Sequence, residues 1–246
     1  MKQRFPLEKV LWMSDRIEVC EMEYQRILAI GDMHGNFSRL LSLFHKIHFD
    51  QDKDLLILLG DYIDRGPENV RCLRWAIEMS EKPNVIALRG NHEDMMLAYY
   101  LLGGLEASVW LPNGGMKTQR EIDAWMAKDP DALKKALTFI KERPLYHRVF
   151  AEGKEYIFCH AGLKPGIPLE QQKAEDLLWI REAFYNGYTG SAEVIVGHTP
   201  TEYVELNRNY PMRLDNHITL LDTGSFLPNG KISCIDVLSG IIYQSD

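Results

Sequence analysis

The chain has 246 residues, of which 46% are hydrophobic and 26% are charged, as in an ordinary globular protein. This composition excludes an intrinsically disordered chain, and the net charge of −7 excludes a general basic surface, so we expect no stable nucleic-acid partner. The four cysteines form no Cys-x-x-Cys pair, which excludes a disulfide scaffold and a thiolate zinc site. The N-terminus lacks the apolar segment of a signal peptide, and the longest aliphatic run is only Leu55 to Leu59. We therefore predict a cytoplasmic protein that has no membrane partner.

Buried strands are predicted where short apolar runs end in glycine or polar residues. In the first half these runs are Ile27–Ile30, Leu55–Leu59 and Val85–Leu88, and stretches with helical spacing separate them. This alternation indicates parallel βαβ units. Further strand-like runs in the second half lie at 156–159, 194–196, 218–221, 232–237 and 241–243. The last two predict a closing hairpin.

The pattern from Asn91 to Arg143 is mostly helical, and we expect a mainly helical insert around 95–143. Within it, Trp110 precedes an Asn-Gly-Gly segment. Trp110 is interpreted either as a buried anchor of a loop or as a wall of the substrate cleft. Because no repeat or linker marks a boundary, we predict a single domain over residues 1–246.

Polar side chains follow the predicted strands where each strand ends. They are Asp32, His34, Asp61, Asp64, Asn91, His92, His160 and His198. The first three strand ends are about 30 residues apart, which matches the βαβ repeat, so their side chains should meet at one sheet edge. Burying such a set without compensation is costly, and cations would supply that compensation. The mixture of carboxylate, imidazole and amide ligands suits Mn²⁺, Fe²⁺ or Zn²⁺ better than Ca²⁺, and it is large enough for two ions that share one carboxylate.

These residues belong to five short motifs, which follow one another along the chain. They are Gly31-Asp32-Met33-His34-Gly35, Gly60-Asp61-Tyr62-Ile63-Asp64-Arg65-Gly66, Gly90-Asn91-His92-Glu93, His160-Ala161-Gly162 and Gly197-His198. In this order they resemble the motifs of the calcineurin-like metallophosphoesterases. More narrowly, they are similar to the phosphoprotein phosphatase branch, which includes bacterial and phage serine/threonine phosphatases and symmetrical diadenosine tetraphosphate hydrolases. Thr199-Pro200 stands where nuclease-like members often have a second histidine, which favours this branch.

The resemblance implies an α/β (α+β) fold in which central mixed β-sheets are flanked by helices, as a four-layer sandwich. It also implies two divalent metal ions, with Mn²⁺ favoured and Fe, Zn or Ni as alternatives. Asp32, His34 and Asp61 would hold one ion, whereas Asp61, Asn91, His160 and His198 would hold the other.

The resemblance further implies roles in catalysis. A metal-bridging hydroxide would attack phosphorus. His92 would protonate the leaving group, and Asp64 would hold the other ring nitrogen of His92. Arg65, Asn91 and Arg181 would bind the phosphate, and Arg181 could instead pair with a neighbouring glutamate on a helix surface.

The implied activity is hydrolysis of phosphomonoesters in a phosphoprotein or a small phosphorylated molecule, with phosphoserine and phosphothreonine as the preferred groups. The alternatives are a symmetrical dinucleoside polyphosphate hydrolase and a catalytically silent binding protein. The segment from Gly103 to Met116 contains no lysine or arginine, which favours a phosphopeptide over a polyphosphate, although Trp110 could stack a base. The sequence leaves the oligomeric state open.

Three competing motifs predict other chemistry. Cys20 and Arg26 have the spacing of a cysteine-dependent phosphatase loop, but acidic and bulky residues stand between them. Asp222-Thr223-Gly224-Ser225 imitates an aspartic protease motif but occurs once, so we expect Asp222 to have a structural role beside the metal site. Cys159 and His160 are adjacent in a strand and should point to opposite faces.

Overall fold

The computed structural model describes residues 24–103 and 108–246. Cys20 lies outside the described residues, so its motif is not tested. In chain order the elements are β1 (Arg26–Ile30), α1 (Phe37–Ile47), β2 (Asp54–Leu58), α2 (Asn69–Ser80), β3 (Val85–Ala87), α3 (Asn91–Leu101), a π-helical turn (Leu111–Gly115), α4 (Met116–Met126), α5 (Ala132–Glu142), β4 (Tyr146–Ala151), β5 (Lys154–Cys159), a 3₁₀ turn (Leu169–Gln171), α6 (Ala174–Trp179), α7 (Glu182–Gly187), β6 (Glu193–Val196), α8 (Thr201–Val204), β7 (Met212–Arg213), β8 (Ile218–Leu220), β9 (Ser233–Asp236) and β10 (Ile242–Gln244).

The first sheet has the strand order β10-β9-β1-β2-β3. Strands β1, β2 and β3 form one half of this sheet and are parallel, as the alternation of apolar runs and helices predicts. β9 pairs antiparallel with both β1 and β10, which confirms the closing hairpin. The carboxyl ends of β1, β2 and β3 therefore lie side by side at one edge.

The second sheet has the strand order β4-β5-β6-β8-β7, in which β5, β6 and β8 are parallel. β4 and β7 are absent from the sequence prediction. β4 is half-buried along most of its length, and β7 has only two residues, so neither contains the buried apolar run that identifies the other strands.

The two sheets pack face to face, and helices cover their outer faces. Ile27 and Ile57 of the first sheet are clustered with Phe158 and Ile195 of the second. Outside this layer, α1, α2, α4 and α5 pack on the first sheet, while α6 and α7 pack on the second. The chain thus has the predicted α/β fold, with two mixed sheets between helical layers. Among the described residues, every helix is too short or too polar to cross a bilayer.

Candidate metal and phosphate site

The edge of the first sheet brings together three loops that follow β1, β2 and β3. Asp32 follows β1, Asp61 follows β2, and Asn91 is the first residue of α3 after β3. The backbone N–H groups of Met33 and His34 donate to the Asp61 carbonyl at 3.0 and 2.9 Å, which ties the first two loops together. His34 and Asp61 both have positive φ, at 42° and 51°, so the chain turns sharply where these side chains enter the site.

The second sheet contributes two histidines to the same edge. His160 follows β5, and its Nδ1 donates to the Leu59 carbonyl at 2.9 Å. His198 lies two residues beyond β6, and its backbone N–H donates to both carboxylate oxygens of Asp32, at 3.1 and 3.0 Å. The two sheets are therefore joined through groups that belong to the site itself.

The Asn91 side chain lies where the two histidines converge. Its Oδ1 atom is 2.7 Å from Nε2 of His160 and 2.9 Å from Nδ1 of His198. Because the Leu59 carbonyl can only accept, a neutral His160 has its proton on Nδ1 and directs the lone pair of Nε2 toward Asn91. The lone pairs of His160 Nε2 and Asn91 Oδ1 repel each other at this distance, and a cation bound by both atoms would remove that repulsion.

Asp61 occupies the centre of the cluster. Its Oδ2 atom is 3.5 Å from Nε2 of His34, and its Oδ1 atom is 3.5 Å from Nε2 of His160. The potential ligand atoms of His34, Asp61 and His92 lie within 4.8 Å of one another, as do those of Asp32, Asp61 and His160. Asp61 belongs to both groups, as a carboxylate shared by two ions must.

The charge state of the cluster also fits divalent cations. Burial, together with the carboxylates of Asp222 and Asp61, raises the pKa of Asp32 well above its ordinary value. Burial lowers the pKa of His34 and His160, and it lowers the pKa of His198 to about 2, so these imidazoles are neutral and each carries a lone pair on one ring nitrogen. Crowded carboxylates and neutral imidazoles are the donor set that Mn²⁺, Fe²⁺ and Zn²⁺ bind.

His92 and Asp64 form a buried pair at the border of the cluster. Nδ1 of His92 is 2.7 Å from Oδ2 of Asp64, while its Nε2 faces Asp61 Oδ2 at 4.0 Å. Asp64 also accepts hydrogen bonds from the indole N–H of Trp110 at 2.9 Å and from the hydroxyl of Thr118 at 2.5 Å. Asp64 is thus fixed by three donors, and the pair leaves one ring nitrogen of His92 facing the cluster.

Two arginines stand at the rim of the site. Arg65 is half-buried, donates to Nε2 of His34 at 2.8 Å, and lies 4.2 Å above the centre of the Phe226 ring. Arg181 donates to the hydroxyl of Thr199 at 2.5 Å and to the His198 carbonyl at 3.4 Å. The contacts of Arg181 therefore point to the site, and the structure gives it no ion pair with a neighbouring glutamate among the described residues.

Comparison with known proteins supplies the family. The model of the calcineurin-like phosphoesterases matches residues 25–235. The chain belongs to this family. It is 32% identical over 213 residues to serine/threonine-protein phosphatase 2 of Salmonella typhimurium, an alignment that covers 85% of this chain and 92% of that protein. It is 27% identical over 230 residues to the asymmetrical bis(5'-nucleosyl)-tetraphosphatase PrpE of Bacillus cereus, covering 83% and 87% of the two chains.

Solved structures share the fold of this phosphoesterase. A protein serine/threonine phosphatase from Saccharomyces cerevisiae superposes with a TM-score of 0.58 at 17% identity, covering 92% of this chain and 81% of the other. The chain is therefore a hydrolase of the metallophosphoesterase family, which depends on a dinuclear metal centre and acts on phosphorylated substrates.

Sequence reasoning missed several residues around the phosphoesterase site. Glu93 is fully buried. Its carboxylate accepts hydrogen bonds of 2.8–3.3 Å from the backbone N–H groups of Gly90, Asp61, Tyr62 and Ile63, and these bonds fix the loop after β2. Its presence in the Gly-Asn-His-Glu motif was a signal for this role. Thr118 had no such signal, since it lies 54 residues from Asp64 in a stretch without a motif.

Trp110 is a buried anchor, and the prediction that its side chain could stack a base is wrong. The side chain is fully buried, donates its N–H to Asp64, and packs so closely on Gly115 that a Cβ there would lie 2.6 Å from the ring. The aromatic residues near the rim are instead Phe226, beneath Arg65, and Trp179, whose ring is 6.0 Å from that of His198 and 41% exposed. Neither residue was predicted. Cys159 packs into the core of the second sheet.

Proposed function

We propose that this phosphoesterase is a phosphatase that removes phosphate from phosphoserine and phosphothreonine in proteins, with two Mn²⁺ ions as its cofactor. The observation that supports it most is the buried His92–Asp64 pair, which leaves Nε2 of His92 4.0 Å from the carboxylate shared by the two groups of potential ligands. A histidine held in this way can supply a proton next to a metal centre.

In this proposal Asp32, His34 and Asp61 hold one ion. Asp61, Asn91, His160 and His198 hold the second. When bound, two divalent ions supply Lewis acidity, which polarises phosphoryl oxygens and acidifies water. The protein supplies a fixed arrangement of ligands, because His34 and His160 each donate Nδ1–H to a backbone carbonyl and direct the lone pair of Nε2 into the cluster.

His92 carries the proton of the reaction. Asp64 accepts from Nδ1 of His92, which sets the ring orientation and leaves Nε2 to protonate the oxygen of the departing serine or threonine. Trp110 and Thr118 hold Asp64 in turn, so the pair cannot rotate away from the site.

Arg65, Arg181 and Asn91 orient the phosphate. The two guanidinium groups are half-buried and can reach phosphate oxygens as planar donors. Oδ1 of Asn91 faces the two histidines, so the amide group of the same side chain is the end that donates to a phosphate oxygen.

A dinucleoside polyphosphate is the second candidate substrate, because two further cations lie near Arg65. Nζ of Lys117 donates to the Arg65 carbonyl at 3.2 Å, and Arg39 donates to the Ser225 carbonyl, next to Phe226. Linked phosphates carry several charges and would use such cations, whereas a phosphopeptide requires only the two arginines. The resemblance to PrpE supports this alternative, and the higher identity to the Salmonella phosphatase supports the first.

A substrate panel separates the candidates. We would measure kcat/KM with Mn²⁺ for phosphoserine and phosphothreonine peptides and for diadenosine tetraphosphate, with the Asp61→Asn protein as a control for contaminating phosphatases. We expect the peptides to be preferred. A preference of more than about tenfold for the dinucleotide, about 1.4 kcal/mol in transition-state stabilisation, would contradict the proposal. Absence of turnover on every substrate would favour a silent binding protein.

A further inference from the structure

Arg181 and Tyr185 are joined through the hydroxyl group of Thr199. Arg181 immediately precedes α7 and Tyr185 lies four residues later, so the two side chains lie on the same side of the first helical turn. Nη1 of Arg181 and the hydroxyl of Tyr185 each donate to Oγ1 of Thr199 at 2.5 Å. A threonine hydroxyl has two lone pairs, and these two donors occupy both of them. Thr199 is buried, so the junction is shielded from water.

The contacts of Arg181 leave one edge of its guanidinium group open. Its hydrogen bonds to the Thr199 hydroxyl and to the His198 carbonyl, the latter at 3.4 Å, both start from Nη1. Among the described residues, Nε and Nη2 meet no acceptor. These two nitrogens form the edge that can donate to two phosphate oxygens side by side. Because both anchors are neutral oxygens, the positive charge of Arg181 also remains uncompensated and available to an anion.

The main chain of Arg181 is fixed by the packing of α7. Phe184 is fully buried, and its ring lies so close to Gly162 that a Cβ there would be 2.4 Å from it. The backbone N–H groups of Phe184 and Tyr185 donate to the Arg181 carbonyl at 2.8 and 3.3 Å. The remaining freedom therefore lies in the long side chain of Arg181. Such a side chain has high rotamer entropy and needs an anchor to keep one orientation.

We propose that Tyr185 and Thr199 are positioning residues, which hold the guanidinium group of Arg181 so that Nε and Nη2 face the phosphate of the substrate. Tyr185 acts through Thr199, because its hydroxyl fixes the orientation in which Thr199 accepts from Arg181. Neither residue needs to touch the substrate. The proposal rests on the phosphate-binding role of Arg181 in the proposed function and adds Tyr185, which none of the five motifs includes.

The test is a double-mutant cycle of Tyr185→Phe and Arg181→Ala, with p-nitrophenyl phosphate as the substrate and with calorimetric titration of the Mn²⁺-loaded protein with orthophosphate. Tyr185→Phe keeps the ring and removes only the hydroxyl. We expect it to raise KM and the Kd of orthophosphate by about three- to tenfold, with kcat within about twofold, because a hydrogen bond that orients Arg181 is lost. In the Arg181→Ala background the same substitution should change KM and Kd by less than about twofold.

The matched control is Tyr188→Phe. Tyr188 also packs against Phe184, but its hydroxyl donates to the Ala192 carbonyl at 3.0 Å instead of to Thr199. This variant should leave KM and Kd unchanged. Thr199→Val, which removes the shared hydroxyl, should reproduce the effect of Tyr185→Phe, whereas Thr199→Ser, which keeps it, should match the wild type. If Tyr185→Phe does not fold, Thr199→Val replaces it in the cycle.

The outcomes distinguish this inference from the proposed function. If Arg181→Ala weakens orthophosphate binding and Tyr185→Phe does not, the positioning role alone is wrong. The same holds if the two losses simply add, or if Tyr185→Phe lowers the Mn²⁺ content, because Tyr185 would then support the fold or His198 instead of Arg181. If Arg181→Ala leaves orthophosphate binding unchanged, or if the wild type binds none, the phosphate-binding role in the proposed function is wrong as well.

Discussion

The buried centre of the site and its half-open rim are held in place by different means. Asp61, Asn91 and His92 are at most 3% exposed, and each is fixed by contacts that join separate loops. Arg65 and Arg181 are half-buried and have few partners. In the proposed mechanism the centre carries out the chemistry, whereas the rim binds the substrate. Substitutions in the two regions should therefore fail in different ways.

The largest effect is expected at the shared carboxylate. Asp61→Asn keeps an acceptor for the His92 backbone N–H but removes the charge common to both groups of ligands. We expect the bound Mn²⁺ to fall below two ions per chain and kcat to fall by at least about 10³-fold, because water is then no longer acidified. Exhaustive chelation of the wild type should do the same. Full activity after chelation would contradict the metal centre.

A smaller effect is expected at Asp64, which holds His92 by a hydrogen bond. Asp64→Asn should lower kcat by roughly 10²-fold, because an amide has one acceptor oxygen instead of two and no charge to stabilise a protonated His92. Trp110→Phe is the matched variant, since it keeps an aromatic ring and removes only the N–H donated to Asp64. It should cost no more than about tenfold in kcat. Equal losses would mean that Asp64 contributes through its position alone and that its charge adds nothing, contrary to the proposal. Metal content, measured in parallel, should stay at the wild-type value in both.

The smallest effect is expected at the rim. Arg181→Lys should lower kcat/KM for a phosphopeptide by about tenfold, mainly by raising KM, because a planar two-donor contact is lost while the charge stays. Arg148→Lys is the control, as Arg148 is paired with Glu155 and Glu170 on the outer surface. A fall in kcat with unchanged KM would mean that Arg181 takes part in the chemical step, which would contradict its assignment to the substrate-binding rim.

The centre was predictable because its residues follow local patterns. Asp32, Asp61 and Asn91 come directly after apolar strands at the βαβ spacing, so parallel pairing alone brings them to one edge. His160 and His198 come from the other sheet, and only the family resemblance connected them with the first three.

The rim was less predictable because packing between distant segments builds it. Phe226 lies beneath Arg65, and Trp179 beside His198, with no motif linking either pair. The sequence singled out Trp110 as an aromatic residue beside a glycine-rich loop, but it did not predict that the side chain points inward. Only the hydrogen bond to Asp64 shows that it supports the centre from inside.

The proposed mechanism depends most directly on His92 as the proton donor, and a change of leaving group tests this role. We would compare kcat of the wild type and His92→Asn on a phosphoserine peptide and on p-nitrophenyl phosphate, whose leaving group needs little protonation. The account predicts a loss of about 10²–10⁴-fold on the peptide and a much smaller loss on the aryl ester, with both Mn²⁺ ions retained. Equal losses on the two substrates would contradict it.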